Sequence, residues 1–187
     1  FHLIQFNKNV SEEELLKRIH ILNNDDGVHG ILVQLPLPIH IDKYIIMDKI
    51  VPSKDVDGFH LINSGKLYLN REKEFVPCTP LGCIELLNYY NIQIKGLHTV
   101  IIGSSHVVGL PLSMLFLQYG STVTICNENT VDIKEHTIRA DILISCCGVP
   151  HLVKEDYVKE GVIIIDVGIN QLAGKLVGDV DYDNVKS

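Results

Sequence analysis

The residues best suited to chemistry in this 187-residue chain sit in turn-like segments. Gly103-Ser-Ser-His-Val-Val-Gly109-Leu-Pro111 follows an apolar run, Thr99-Val-Ile-Ile102, and opens a helical stretch. A glycine-rich turn between a first strand and a helix is where dinucleotide-binding folds seat a pyrophosphate. Glycine lets the backbone approach, and the helix start presents N–H groups at the positive end of its dipole. The spacing is not G-x-G-x-x-G, and no Gly-Lys-Ser/Thr follows to make a P-loop. By spacing alone, a phosphate cradle and a tight turn without a ligand stand level. Asp55 and Asp57 flank Val56 just before Gly58. Either carboxylate can stabilise its own turn, or accept a pair of N–H donors. Gln34 ends an apolar run, where a neutral amide reads first as a satisfied polar residue at a sheet edge. Cys146 and Cys147 close the run DILISCC and read as small buried hydrophobes, because no base lies near them in sequence to make a nucleophile.

The elements that position these residues follow from periodicity and caps. Ser11 with Glu14 forms a capping box, and Leu15, Ile19 and Leu22 continue at helical spacing until Asn23 to Gly27 stop the helix. Gly30-Ile-Leu-Val-Gln-Leu35 predicts a short buried strand ending at Pro36, and Asp42 caps a short helix over 43–50. Residues 52–59 read as a polar, turn-rich loop. Thr79 as N-cap and Pro80 at the first helical position predict a helix to about Tyr90. From Lys95 strand and helix alternate: strands at 99–102, 122–126, 141–145 and 162–166, and helices at 107–119, 132–140 (capped by Thr130) and 154–160. The strands are continuously apolar, as a sheet covered on both faces requires. The expected class is α/β: a doubly wound parallel, Rossmann-like sheet over 93–187, preceded by part of a smaller α/β substrate domain over 1–92.

Composition narrows the functions. Hydrophobic residues make up 46% and charged residues 21%, ordinary for a globular protein and unlike a disordered chain, a collagen or a coiled coil. A net charge of -7 argues against nucleic acid as a partner, since phosphate-backbone affinity rests on clustered Lys and Arg. No apolar run reaches bilayer length, so no membrane partner is expected. Five cysteines, an odd count without any C-x-x-C, argue against a disulfide framework. Without C-x-x-C, H-x-x-x-H or H-E-x-x-H pairs, no metal site is expected. Reduced cysteines and no leader make the cytoplasm the expected compartment, with a removed organellar presequence as the alternative.

Four stretches together resemble the bifunctional methylenetetrahydrofolate dehydrogenase/cyclohydrolase family: GILVQLPLP (30–38), KDVDGFHLINSGKL (54–67), PCTPLGCIELL (77–87) and GSSHVVGLP (103–111). DVGIN (166–170) and GDVDY (178–182) extend the match over nearly the whole chain. The resemblance implies oxidation of 5,10-methylenetetrahydrofolate with a nicotinamide dinucleotide, then hydration of the methenyl product to 10-formyltetrahydrofolate. It implies a site in the cleft between substrate and dinucleotide domains, with tetrahydrofolate derivatives as partners and a homodimer as the assembly. Gln34 within Val33-Gln-Leu35 then corresponds to the active-site glutamine, and Asp57 to the aspartate that holds the pterin edge. Gly103, Ser104, Ser105 and Ile169 fall at cofactor-binding positions. The alternative is a non-catalytic dinucleotide- or folate-binding relative.

Two departures bear on the cofactor. The family turn usually reads G-R-S, whereas this chain has Gly103-Ser104-Ser105, without the arginine that meets the 2′-phosphate of NADP. After the second strand Glu128 stands where the family usually has a serine. An acidic residue there is what NAD-selective folds use to hold the ribose 2′-hydroxyl. NADP is the family default, and Ser104 with Glu128 favour NAD. The family's Tyr-x-x-x-Lys helix lies upstream of GILVQLPLP and its glycine-rich TPVPGGVGPMT segment downstream of GDVDY. Neither occurs between Phe1 and Ser187. The expectation is therefore the central part of a longer enzyme, with no cyclohydrolase turnover by this chain alone for want of the catalytic lysine.

Overall fold

The computed structural model describes residues 1–73 and 75–186. Two compact units divide the chain, Phe1–Cys78 and Thr79–Ser187. This division differs from one at 92–93 by the placement of a single helix.

The first unit is helical and irregular. Helix α1 (Glu12–Asn23) starts as its capping box requires, with the Glu14 N–H donating to Ser11 Oγ. Helix α2 (Lys43–Met47) is capped by Asp42 and stops three residues before the expected end. The predicted strand at 30–35 is reduced to one parallel bridge, Ile31 with Asp55. An apolar run becomes a strand only by pairing, and here it finds a partner at one residue. Leu15, Ile19, Ile31, Ile41, Ile46 and Ile50 form the core. Helix α3 (Leu61–Tyr68) was not expected. Its N-cap is His60, whose Nδ1 accepts from the Ile62 N–H, and its interior contains Gly65, so neither end nor middle carries the usual signals.

The second unit opens with α4 (Cys78–Tyr89), which begins one residue before the predicted cap and places Pro80 third. A proline in the first turn forfeits no intrahelical bond. Strands β1 (His98–Ile102), β2 (Thr122–Cys126), β3 (Ile142–Ser145) and β4 (Ile163–Asp166) form an all-parallel sheet in the order β2-β1-β3-β4. The chain leaves β1 on one side, to β2, and returns on the other, to β3. The C-terminal ends of β1 and β3 therefore mark the topological switch point at which open α/β sheets bind ligands. Val100, Ile102 and Leu143 pack on one face with Ala140, Val153 and Val180. Helix α5 (Gly109–Gln118) packs on β1 and β2 and adds no residue to that cluster, so both faces are covered.

Three local expectations need correction. Thr130 does not cap the next helix: its Oγ1 accepts from the Asn127 N–H, and Asp132 caps the shorter α6 (Ile133–Thr137). The expected helix at 154–160 is only a 3-10 turn, Glu155–Tyr157, because Val158 is already extended at φ -132°, ψ 155°. A hairpin of β5 (Asn170–Leu172) and β6 (Lys175–Val177) and a final helix α7 (Tyr182–Val185) were not anticipated. The hairpin turns at Ala173 and Gly174, both at positive φ. Alanine in the first of these places hides the Asn-Gly signature that would have announced it. Among the described residues no helix is long and apolar enough to cross a membrane.

Candidate active site

In the first unit two segments run side by side. The Ile31 N–H donates to Lys54 O at 2.7 Å. A Cβ on Gly30 would run into the Val56 side chain, which would have to shift to admit it. From the parallel bridge between Ile31 and Asp55, one segment reaches Val33, Gln34 and Leu35 and the other reaches Asp57. These expected site residues are thereby placed on neighbouring segments. Val33 and Leu35 are half-buried, while Gln34 is exposed and donates from Nε2 to Leu35 O at 2.9 Å.

The two aspartates separate clearly. Asp55 is 3% exposed and its Oδ2 accepts from the His60 N–H at 2.8 Å and from Asn63 Nδ2 at 2.9 Å. It holds the loop to α3. Lys54 is likewise structural: its ammonium donates to Leu22 O, Asn23 O and Asp25 O, closing the C-terminal end of α1. Asp57 is half-buried, and among the described residues no hydrogen bond or ion pair reaches its carboxylate. Burial first, and then the Asp55 charge, raise its pKa above the usual carboxylate value. A partly desolvated acceptor without donors is suited to a ligand that brings them.

In the second unit a cavity of about 280 Å³ opens at the C-terminal ends of the strands. Its walls are Val108 after β1, Cys146, Cys147 and Gly148 after β3, and Val167, Gly168 and Ile169 after β4. This is the switch-point position. The preceding turn is built on glycine for steric reasons. Gly103 has φ +122°, and a Cβ on it would meet Cys146 O at 2.7 Å. A Cβ on Gly109 would drive into Gly103 O, so strand end and helix start touch backbone to backbone. Of the cofactor residues expected from sequence, Ile169 lines the cavity, and Gly103 abuts its wall at Cys146. Ser104, Ser105 and Glu128 do not line it.

The helix start is less open to phosphate than its position implies. The Leu110 N–H already donates to Ser105 O at 3.0 Å and Pro111 has no N–H, which leaves Gly109 as the first-turn donor. The Ser105 hydroxyl accepts from the Val108 N–H at 3.2 Å.

Cys146, Cys147 and Gly148 were not foreseen as cavity residues, although their place after a third apolar strand could have suggested it. Burial, followed by Cys147, Asp179 and Cys83, pushes the Cys146 thiol up to about 12, and burial also raises Cys147. Neither is a thiolate at neutral pH, in keeping with the non-nucleophilic reading. Asp179, of the GDVDY motif, was also missed. It is fully buried, and its Oδ2 accepts from Ser145 Oγ (3.0 Å), the Cys147 N–H (2.9 Å) and the Gly148 N–H (3.1 Å). Its Oδ1 accepts from Asn170 Nδ2 at 2.8 Å. Burial opposes the charge, but these donors outweigh it and hold the pKa below the usual value. Asp166 accepts from the N–H groups of Gly168, Asp179 and Val180. Together the two carboxylates fix the loops that form the cavity.

Comparisons with known proteins identify the family. Residues 77–187 match the family model described as tetrahydrofolate dehydrogenase/cyclohydrolase, NAD(P)-binding domain, and residues 1–57 match its catalytic domain. The bifunctional protein FolD of Sulfurihydrogenibium sp. (strain YO3AOP1) is 54% identical over 180 residues, 96% of this chain and 63% of that protein. The crystal structure of the bifunctional FolD enzyme from Campylobacter jejuni superposes with a TM-score of 0.94 at 52% identity, covering 96% of this chain and 64% of that one. The FolD structure from Trypanosoma brucei, complexed with NADP cofactor and inhibitor, gives 0.91 at 36% identity, covering 96% and 64%. The chain thus spans 63% of the length of that Sulfurihydrogenibium relative. On both domain models and on these identities, the chain belongs to the tetrahydrofolate dehydrogenase/cyclohydrolase family.

Proposed function

We propose that the protein oxidises 5,10-methylenetetrahydrofolate to the 5,10-methenyl form with a nicotinamide dinucleotide, and that it belongs to the enzymes that hydrolyse the methenyl product to 10-formyltetrahydrofolate. The observation that carries this reading is the switch-point cavity beyond the Gly103–Gly109 contact, in a chain whose halves match both domains of the family. The close backbone contact of Gly103 and Gly109 sets the strand end and the helix start beside the cavity, where a dinucleotide would lie. Gly103, Ser104 and Ser105 would hold its phosphates, and Ile169 would lie beside it. When bound, the dinucleotide supplies the hydride acceptor.

The remaining work falls to the chain's own groups. Asp57, half-buried and without an internal donor, accepts the paired N–H groups of the pterin's 2-amino-4-oxo edge. Gln34, with an amide that both donates and accepts, orients substrate and water without adding charge. Val33 and Leu35 flank it and supply apolar contact to the folate. Val108, Val167 and Ile169 give the cavity apolar walls for contact with the bound dinucleotide. Asp179 and Asp166 act through the backbone, holding those walls in place.

The reading is tested by following methenyl absorbance and dinucleotide reduction together after methylenetetrahydrofolate is added to the purified protein. Equal appearance of the two products is expected. Binding of folate and dinucleotide without turnover would assign the chain to the non-catalytic alternative. Asp57→Asn should raise KM for the folate by roughly tenfold or more, through loss of a charge-assisted fork. The same reading carries a homodimer in the cytoplasm, checked by analytical ultracentrifugation and by cell fractionation.

A further inference from the structure

Beyond β2 the chain makes a four-residue turn with Glu128 at its tip. The Thr130 N–H donates to Asn127 O at 3.0 Å, the Asn127 N–H to Thr130 Oγ1 at 2.8 Å, and the Asn129 N–H to Asn127 Oδ1 at 2.9 Å. This clasp fixes an otherwise exposed carboxylate on a defined backbone. The turn is also tied to the glycine cradle, because the Gly103 N–H donates to Cys126 O at 2.8 Å. Glu128 therefore lies two residues beyond the peptide that Gly103 binds. The residues that follow Gly103 are the uncharged Ser104 and Ser105.

Four cations of this unit are paired with carboxylates other than Glu128. Lys134 pairs with Asp156 at 2.7 Å and Arg139 with Glu135 at 3.4 Å. Lys159 pairs with Asp141 and Lys186 with Asp183. Lys95 precedes β1 and packs at Gly120, at the N-terminal ends of the strands, whereas the turn lies at their C-terminal ends. Lys154 precedes the 3-10 turn, and Lys175 lies in the β5–β6 hairpin.

We propose that Glu128, held by the Asn127–Thr130 clasp, is the residue that selects the dinucleotide: it accepts the 2′-hydroxyl of the adenosine ribose and rejects a 2′-phosphate, so that the protein uses NAD in preference to NADP. This rests on the dinucleotide-binding reading above. A carboxylate accepts a hydroxyl hydrogen bond at full strength, whereas a phosphomonoester brings nearly two negative charges to the same point. Among the described residues no lysine or arginine pairs with Glu128, so no ion pair at the turn offsets that repulsion. Solvent screens it, so the expected preference is roughly tenfold to a hundredfold rather than absolute.

The test is calorimetric titration of the purified protein with NAD and with NADP separately, at low and at high salt. NAD should bind at least roughly tenfold more tightly, and the gap should narrow as salt screens the repulsion. Glu128→Gln keeps a hydrogen-bonding group and removes the charge. It should raise NADP affinity by about tenfold while changing NAD affinity only a few-fold. Thr130→Val opens the clasp and should reduce the preference without removing any charge. Equal or tighter binding of NADP by the unaltered protein, or an unchanged ratio in Glu128→Gln, overturns the assignment. Failure to bind either dinucleotide is a separate result, and removes the dinucleotide-binding reading together with this one.

Discussion

The two units solve the same problem, holding a loop still for a ligand, by different means. In Thr79–Ser187 the backbone sets the frame. Four parallel strands fix the ends of β1, β3 and β4, and two carboxylates, the exposed Asp166 and the buried Asp179, then trim the loops that leave them. Among the described residues of Phe1–Cys78 there is no ladder beyond one bridge, and polar side chains hold the frame itself. Lys54 closes α1, and Asp55 ties the loop to α3 through His60 and Asn63. Asn23 donates to Lys49 O and accepts from the Val51 N–H. A site built on sheet ends can lose a polar residue and keep its fold. A site built on side-chain bonds cannot.

The largest effect should come from Asp55→Ala. It leaves the His60 N–H without its acceptor and the buried Asn63 amide with Pro52 O alone. At about 1.5–3 kcal/mol for each bond to a charged group, the loss is ~3–6 kcal/mol. Hydrogen exchange should accelerate through residues 52–68 and much less in β1 to β4. Equal acceleration in both regions would break the contrast.

Asp179→Ala removes more hydrogen bonds yet should cost less, about 2–4 kcal/mol, because Cys147 and Gly148 border the cavity and water can replace the lost acceptor. Sheet amides should stay protected while dinucleotide affinity falls. The pH dependence sharpens this. The folded-state pKa of Asp179 lies below its ordinary value of 3.8, so the stability it adds is complete above that value and is lost as pH falls through the folded-state value. Asp179→Asn should flatten that acid limb in a denaturation series. An unchanged limb would place the acid sensitivity elsewhere.

The same contrast explains what the sequence disclosed. Strand β2 was legible to the residue, and β1, β3 and β4 to within one, because each is an apolar run flanked by turn residues and paired along its length. The run Gly30–Leu35 carries the same signal, but pairing is a long-range property, and here it is met at Ile31 alone. Helix α3 was hidden by its unusual histidine cap. Thr130 was misread because a hydroxyl can close a turn behind it as well as cap a helix ahead of it. At the site, the glycine cradle could be read because its backbone demands a residue type. Resemblance, not spacing, singled out Gln34 and Asp57, and the distinction between Asp55 and Asp57 appeared only with their partners. Cys146 and Cys147 were read as core residues only, and Asp179 was passed over, because a cavity wall is assembled from separate loops.

The smallest effects should come from two caps, one in each unit. Ser11 caps α1 from extended backbone at φ -76°, ψ 150°, whereas Asp132 caps α6 from the left-handed region at φ 51°, ψ 70°. Ser11→Ala loses one capping bond, about 1 kcal/mol. Asp132→Ala loses a comparable bond, about 1 kcal/mol, and keeps a Cβ where the left-handed backbone disfavours one. Asp132→Gly separates the two contributions. Glycine accepts the left-handed geometry and loses only a few tenths of a kcal/mol as a cap, so this variant should be more stable than Asp132→Ala. The matching Ser11→Gly variant gains nothing from backbone freedom at an extended position. Thermal denaturation of the four variants should therefore show the glycine–alanine difference to be larger at 132 than at 11. Equal differences at the two positions would mean that the left-handed cap carries no conformational cost, and that the two helices start on the same terms.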